Sequence, residues 1–250
     1  MNRTGLIVAL AIAVNVGLVF GIFPQLDLMI SAPFYAIKRG SSDFGLRVDD
    51  PVAMARDAGL WVGTLIILPV LGALAIKLLR PKHRLLVPGR AIVFLIATLA
   101  LAPGLFVNVL LKDHWGRPRP IDVTQFGGDQ HFVAWWDPRG DCPKNCSFVS
   151  GDVSGAFWTL APAALAPPQW RALAYGAALA LGTAMAALRI VAGAHFLTDA
   201  VFAGVFTFLI IWIVHGLIYR WPRTRLSDEA VERWLERFVA GIFGKRKSEL

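Results

Sequence analysis

The stretch "RAIVFLIATLALAPGLFVNVLLKDHWGRPRP", Arg90 to Pro120, contains a long apolar run bounded by basic residues. Residues 91–111 are almost entirely apolar, and a run of about 18 or more apolar residues is long enough to cross a bilayer as a helix. A basic residue precedes the run and several cations follow it. The pattern predicts a membrane helix with polar groups at both ends.

The remainder of the chain repeats this pattern. Of its 250 residues, 56% are hydrophobic, whereas soluble domains have roughly 45–50%. We predict a single domain over 1–250, an all-α bundle of six transmembrane helices. The fourth apolar run is the shortest and contains Pro162. The first follows Arg3 and lacks a small-residue cleavage site, so we expect it to be a retained anchor. The six runs cover 5–23, 59–79, 91–111, 153–167, 172–192 and 196–218.

The net charge of +8 is unevenly distributed. Short loops rich in Lys and Arg stay on the cytoplasmic side of a membrane. This rule places the loop after the second run inside, the loop at 112–150 outside, and both termini in the cytoplasm. The excess of cations therefore indicates topology and attraction to anionic lipid, not nucleic-acid binding. The residues concerned are Arg80, Lys82, Arg84 and Arg90 in the loop, and Arg220, Arg223, Arg225, Lys245, Arg246 and Lys247 in the tail.

Two segments outside the apolar runs have amphipathic patterns. Segment 24–58 could place a short helix in the membrane interface or form a lid packed on the bundle. The tail, about 227–243, begins with a capping Ser227 and continues with apolar residues at helical spacing. We expect a helix on the inner membrane surface anchored by Lys245–Lys247, with a dimer contact as the alternative. The apolar positions are Leu26, Met29, Ile30, Phe34 and Tyr35, and Val231, Trp234, Leu235, Phe238, Val239 and Ile242.

Both cysteines, Cys142 and Cys146, fall in the loop predicted to lie outside. An oxidising compartment favours a disulfide between them, and two free thiols are the alternative. No second ligand pair has the spacing of a zinc site. We predict neither a metal nor a cofactor.

Three polar clusters fall at the outer ends of predicted helices. The first contains Lys112, Arg117 and Arg119, and prolines stiffen the backbone after both arginines. Snorkelling explains Lys112 alone, but three cations in one outer loop favour anion binding. The second is Ser150, Gly151 and Asp152 at the start of the fourth run. Its free N–H groups could cradle an anion, or the residues could simply cap the helix.

The third cluster contains His195 and Asp199, four residues apart, with Arg189 before them. Helical spacing puts the imidazole and carboxylate on one face, where the carboxylate could fix the tautomer and make the ring a better nucleophile or base. A buried, satisfied polar pair is the alternative. Together the three clusters supply cations, N–H donors and an oriented imidazole, which suit phosphoryl transfer.

These residues resemble the three-part signature of the type 2 phosphatidic acid phosphatases, the PAP2 superfamily. Lys112 with Arg119–Pro120, Ser150–Gly151, and Arg189 with His195 and Asp199 match K-x6-RP, PSGH and SR-x5-H-x3-D over 112–199. The resemblance implies a helical, haloperoxidase-like core and a metal-independent phosphatase. It also implies that His195 is the nucleophile, forming a phosphohistidine, and that Asp199 orients it. The implied phosphate-binding residues are Lys112, Arg119, Ser150, Gly151 and Arg189.

Three positions depart from that signature: Val149, Leu188 and Asp152 replace proline, serine and histidine. The last departure matters most, since the histidine usually protonates the leaving oxygen. Asp152 could have a raised pKa and act as the acid, or it could orient a neighbour while His114 or His131 supplies the proton. Alternatively, a good leaving group could make acid help unnecessary. Arg117 lies outside the strict spacing and is an auxiliary candidate.

We therefore expect a lipid phosphatase with its site on the periplasmic face of a bacterial inner membrane. The expected substrates have good leaving groups, such as the 1-phosphate of lipid A or undecaprenyl diphosphate, with phosphatidylglycerophosphate also considered. A lipid phosphotransferase of the same family is one alternative. A non-enzymatic phospholipid transporter is another, although its polar groups would lie along a mid-membrane path. The apolar runs are inconsistent with a soluble haloperoxidase.

Overall fold

The computed structural model describes residues 3–38, 41–47 and 50–244, and these are mostly helical. Two of the helices, α4 (Gly89–Leu99) and α8 (Leu197–His215), continue into π-helical segments, Ala100–Leu111 and Gly216–Arg220. The elements are α1 (Arg3–Ile22), α2 (Gln25–Ser31), β1 (Tyr35–Lys38), β2 (Ser41–Phe44), α3 (Asp50–Leu79), α4 (Gly89–Leu99), α5 (Gly151–Phe157), α6 (Leu160–Leu165), α7 (Pro168–Val191), α8 (Leu197–His215) and α9 (Asp228–Gly244).

Five helices of the described chain are long and apolar enough to cross a membrane: α1, α3, α4 with its extension, α7, and α8 with its extension. The predicted fourth span is instead divided into the short helices α5 and α6. Pro162 has no N–H to donate to Trp158, and its ring clashes with that carbonyl, so the helix is interrupted one turn earlier. Six transmembrane helices are therefore not confirmed.

The short pair nevertheless lies at the centre of the bundle. Helix α5 packs against α3, α7 and α8, and α6 packs against α7. The side chain of Trp158, between the two helices, is fully buried, and its indole N–H donates to Thr98 at 3.0 Å. Most residues of α5 and α6 are small, which lets the surrounding helices approach them closely. The central position of α5 places Ser150 and Gly151, at its N-terminus, in the interior of the fold.

The segment predicted as an outer loop, 24–58, contains more regular structure than expected. Helix α3 begins at Asp50, so its first nine residues lie in that segment; an aspartate followed by Pro51 is a favourable helix start. Strands β1 and β2 pair antiparallel, with Tyr35 opposite Phe44 and Lys38 opposite Ser41. The side chains of Ile30 and Phe34 pack on the bundle core, as the lid alternative requires, whereas Met29 is exposed.

Strand β2 contacts the bundle through the side chain of Phe44. This ring is buried against Gly193, where an added Cβ would lie 2.3 Å from the Phe44 side chain. Gly193 also has a φ of +64°, a conformation that glycine adopts at little cost. The turn between α7 and α8 is thus tightly enclosed just before His195.

Helix α9 packs on the end of the bundle that carries the loop 80–88, here called the inner end. Its side chains Glu232 and Glu236 hold Lys77 Nζ at 2.8 and 2.7 Å, and Asp228 pairs with Arg90. Val231, Leu235 and Val239 are buried, and Ser227 Oγ accepts a hydrogen bond from the Ala230 N–H. The predicted anchor Lys245–Lys247 and the side chain of Ile242 lie outside what the structure describes.

Candidate active site

The opposite, outer end of the bundle is closed by the loop 112–150, which folds back on its own beginning. The N–H of Cys146 donates to Lys112 O at 2.9 Å, and the N–H of Ser147 donates to Arg117 O at 2.8 Å. A disulfide joins Cys142 to Cys146. The end of the loop, and with it the start of α5, is thereby held beside the cations that follow α4.

His195 is buried in the turn that precedes α8. Its Nδ1 lies 2.8 Å from the backbone carbonyl of Ser147. A carbonyl can only accept, so Nδ1 carries the proton and Nε2 keeps the lone pair. Burial, together with the positive charges of Arg119, Arg189 and Lys112, holds the pKa of His195 well below its usual value. The ring is therefore neutral near pH 7, as a nucleophile requires.

The predicted hydrogen bond from His195 to Asp199 is not formed. Nδ1 lies 3.9 Å from Asp199 Oδ2, because the Ser147 carbonyl occupies the donor. Asp199 instead accepts hydrogen bonds from Ser147 Oγ, the N–H of Phe196 and the guanidinium of Arg117. The carboxylate thus positions the two segments that enclose the imidazole, and it acts on the ring through Ser147.

Arg117 belongs to this support, and it is not a phosphate-facing cation. Its side chain is fully buried between Asp199 and Asp27, with Nη2 2.8 Å from Asp27 Oδ2. Thr198 contacts both Asp27 and Arg117, since its hydroxyl donates to Asp27 and accepts from Arg117. Asp27 in α2 is a residue that the sequence analysis missed. An acidic residue within an apolar, amphipathic segment was the only signal.

The other predicted cations, Lys112, Arg119 and Arg189, lie close enough to His195 for their charges to act on its ring. Arg119 Nη2 donates to Asn145 O at 2.9 Å. Burial and the charge of Arg119 lower the pKa of Lys112. Arg189 Nε lies 3.2 Å from Asp152 Oδ2 without hydrogen-bond geometry, so within the described chain this buried N–H has no hydrogen-bond partner. Such a donor is suited to an incoming anionic oxygen.

The N-terminus of α5 lies against the same cations. Ser150 caps the helix, its Oγ accepting from the Val153 N–H at 3.5 Å, and its own N–H donates to Asp199 O at 3.3 Å. A Cβ built on Gly151 would lie 2.5 Å from Asn108 Oδ1 and 3.3 Å from Lys112 Nζ. The absence of a side chain at Gly151 therefore leaves the Lys112 ammonium close to the backbone of α5.

A Gly151→Ala substitution should lower kcat/KM by roughly 10- to 100-fold, because the methyl group must displace Asn108 and Lys112, and small misplacements in a site are costly. Phosphate release by the purified variant measures the effect. Gly155→Ala on the same helix is the matched control, since its Cβ meets nothing within 4 Å. Equal activity of the two variants would show that the close approach at Gly151 is unimportant.

Asp152 differs from the expectation of a raised pKa. Burial raises the pKa of its carboxyl, but the hydrogen bond from Arg56 and the charges of Arg189 and Lys112 outweigh burial, so the pKa lies below its usual value. The Arg56 contact is short, with Nε 2.7 Å from Oδ2. Asp152 is thus an ionised partner of two arginines, and it is unsuited to donate a proton near neutral pH. Arg56 was missed because it lies outside every motif.

Both alternative proton donors have partners elsewhere among the described residues. His114 Nδ1 is 3.1 Å from Leu110 O, a carbonyl near the end of the preceding helix. His131 pairs with Asp141 in the outer loop and is largely exposed. Within the described ranges, no group of three or more His, Cys, Asp or Glu side chains is arranged to hold a metal ion.

The arrangement can bind a tetrahedral anion and present a neutral imidazole to it. Cations from the end of α4, the following loop and α7 surround the ring, and the N-terminus of α5 completes the site. Phosphoryl transfer needs such charge around the equatorial oxygens and a nucleophile aligned with the leaving group. The geometry is suited to phosphoryl transfer.

Comparison with known proteins agrees with this chemistry. Residues 91–225 match the family model described as the PAP2 superfamily. The chain is 36% identical to a lipid A 4′-phosphatase of Francisella tularensis subsp. novicida (strain U112) over 225 residues, 88% of this chain and 98% of the relative. A second protein of that name, from Rhizobium leguminosarum, is 42% identical over 106 residues, 42% of this chain and 46% of the relative.

A third lipid A 4′-phosphatase, from Rhizobium etli, is 40% identical over 104 residues, 42% of this chain and 40% of the relative. No solved structure gives a significant match. The family model covers more than half of the chain and includes all three polar clusters, and the Francisella relative extends the similarity to nearly the full length. The chain therefore belongs to the PAP2 superfamily and is a membrane lipid phosphatase.

Proposed function

We propose that this phosphatase removes the 4′-phosphate of lipid A at the periplasmic face of the bacterial inner membrane, through a phosphohistidine on His195. The observation that carries the proposal is the His195 ring, neutral and fixed by the Ser147 carbonyl, among the cations Lys112, Arg119 and Arg189. This is the arrangement that an imidazole nucleophile needs toward a phosphate dianion.

We assign each residue a role that is consistent with the geometry. Nε2 of His195 attacks phosphorus, while Nδ1 keeps its proton on the Ser147 carbonyl. Lys112, Arg119 and Arg189, with Ser150 and the N–H of Gly151, hold the nonbridging oxygens, where charge is stabilised in the transition state. Water then hydrolyses the P–N bond and frees the ring. Asp199 and Arg117 support the ring from behind without touching the substrate.

Two features support the periplasmic face. The loop 112–150 covers the site and contains the disulfide Cys142–Cys146, and disulfides persist in oxidising compartments. The inner end carries the basic loop 80–88, which the distribution of Lys and Arg assigns to the cytoplasm. Helix α9 packs at that same end, which supports a cytoplasmic C-terminus. Arg3 before the first apolar run supports a cytoplasmic N-terminus.

The choice of the 4′-phosphate comes from the relatives, all three of which are named for it. It differs from the expected 1-phosphate, an anomeric ester with a better leaving group. When the 4′-phosphoryl group is transferred, the leaving group is an ordinary sugar alkoxide. Good leaving groups therefore do not account for Asp152 in place of the histidine.

Bis-phosphorylated lipid A incubated with the purified enzyme should lose its 4′-phosphate at least about 10-fold faster than its 1-phosphate, a difference of about 1.4 kcal/mol in barrier height. Mass spectrometry of the products distinguishes the two positions. Phosphatidylglycerophosphate and undecaprenyl diphosphate serve as competing substrates under the same conditions. Preferential loss of the 1-phosphate, or faster turnover of either competitor, would contradict the assignment.

The same assay separates hydrolysis from phosphotransfer. Hydrolysis releases inorganic phosphate in detergent without an acceptor lipid, in an amount equal to the dephosphorylated product. A phosphotransferase would release phosphate only slowly, and its rate would rise on addition of a lipid that carries a free hydroxyl.

A further inference from the structure

Arg56 is a cation at the site that lies in none of the family motifs. It lies in the second turn of α3, and its side chain is 35% exposed. Its Nε donates to Asp152 Oδ2 at 2.7 Å, and its Nη1 donates to Asp57 Oδ1 at 3.0 Å. The pairing with Asp152 holds the guanidinium at the end of α5, beside the predicted phosphate site.

Asp152 links Arg56 to the rest of the site, because the oxygen that accepts from Arg56 also lies 3.2 Å from Arg189 Nε. The charges that act on the His195 ring are those of Arg119, Arg189 and Lys112. Arg56 belongs to a different helix, α3, and is linked to the site by its ion pair with Asp152. It therefore adds positive charge at the position where the family signature has a proton donor.

The lack of an acid at this position leaves a chemical problem. When His195 displaces a sugar alkoxide, the leaving oxygen gains a full negative charge, which is unfavourable unless a proton or a positive donor meets it. The ionised Asp152 would repel that oxygen. The Arg56 guanidinium neutralises the Asp152 carboxylate, and Arg189 beside it leaves the group with a net positive charge. The guanidinium also offers N–H donors.

We propose that Arg56 contacts the leaving oxygen of the substrate and that Asp152 positions it there, so that an Arg–Asp pair replaces the acid of the family signature. This inference rests on the proposed function. As His195 Nε2 bonds to phosphorus, the electron pair of the P–O bond stays on the sugar oxygen, which Arg56 stabilises. That oxygen then takes a proton from water, and the resulting hydroxide attacks the phosphohistidine. The electron pair of the P–N bond returns to Nε2, and hydrogen phosphate leaves.

A series of leaving groups tests the proposal. Arg56→Gln should lower kcat/KM on an alkyl phosphate by about 100-fold, but by less than about 5-fold on p-nitrophenyl phosphate, whose phenolate needs little stabilisation. Arg56→Lys should recover most of the loss. Lys112→Gln is the matched comparison, because loss of a cation that holds nonbridging oxygens should affect both substrates alike. An equal loss on both substrates in Arg56→Gln would make the pair a support for Arg189 and overturn the proposal.

A second measurement uses the lipid itself. Adding Asp152→His to Arg56→Gln restores the acid of the family signature, so activity on lipid A should recover at least about 10-fold over Arg56→Gln alone. The recovered activity should decline as the pH rises through the pKa of the new histidine, because only its protonated form can donate. A double variant as inactive as Arg56→Gln would contradict the inference. An active His195→Asn variant would instead refute the proposed function.

Discussion

A His195→Asn variant should lose phosphate release by about 10⁴-fold or more while remaining folded, because the substitution removes the only group proposed to attack phosphorus. Asparagine retains an N–H that can donate to the Ser147 carbonyl, so the loop around the ring should keep its position. Rapid quenching of the wild-type enzyme with ³²P-labelled lipid should trap an acid-labile phosphoenzyme, and the variant should show none.

The control for this experiment is Arg139→Gln in the outer loop, where the arginine is exposed and pairs with Asp137. It should match the wild type in both phosphate release and phosphoenzyme. If His195→Asn retained more than about 1% of the activity, or still formed the labelled intermediate, the phosphohistidine mechanism would have to be abandoned.

Arg117→Met should destabilise the protein by about 3–5 kcal/mol, on the order of 10 °C in Tm, and abolish activity with it. Methionine fills part of the space but leaves the buried carboxylates of Asp27 and Asp199 without their shared cation. Two carboxylates close together without a counter-charge in the protein interior are unfavourable. Thermal unfolding in detergent and the yield of folded protein measure the effect.

The matched variant lies two residues further along the chain. Arg119→Met removes a partly exposed guanidinium proposed to bind phosphate, so it should reduce turnover with little change in Tm. Both variants should lose activity, but only Arg117→Met should lower the Tm substantially. The assignment of roles would be wrong if Arg117→Met melted like the wild type, or if Arg119→Met unfolded as readily as Arg117→Met is expected to.

The sequence predicted the apolar helices well, because each is a continuous run that periodicity and length identify. It predicted the position of α5 less well, since Pro162 interrupts the fourth run and the resulting pair is too short to be recognised as a span. Helix α3 began earlier than its apolar run, because the polar residues of its first two turns interrupt the hydropathy signal but do not disfavour the helix.

For the site, the residue set of the family signature was predictable, whereas the contacts between its members were not. The spacing of His195 and Asp199 suggested a direct hydrogen bond, yet the loop carrying Ser147 places its carbonyl on the ring nitrogen. Asp27 and Arg56 meet partners 171 and 96 residues away. No local pattern encodes contacts over such separations, so only the fold could reveal them.

The bond between Asp27 and Thr198 also constrains how the enzyme is made. The ribosome synthesises α2 long before α8. Asp27 therefore lacks its full set of partners, Arg117 and Thr198, until most of the protein has been made. Catalytic competence is thus acquired late in biogenesis, when the last membrane helix joins the first segments. A truncated product that ends before α8 would reach the membrane yet should leave lipid A phosphorylated.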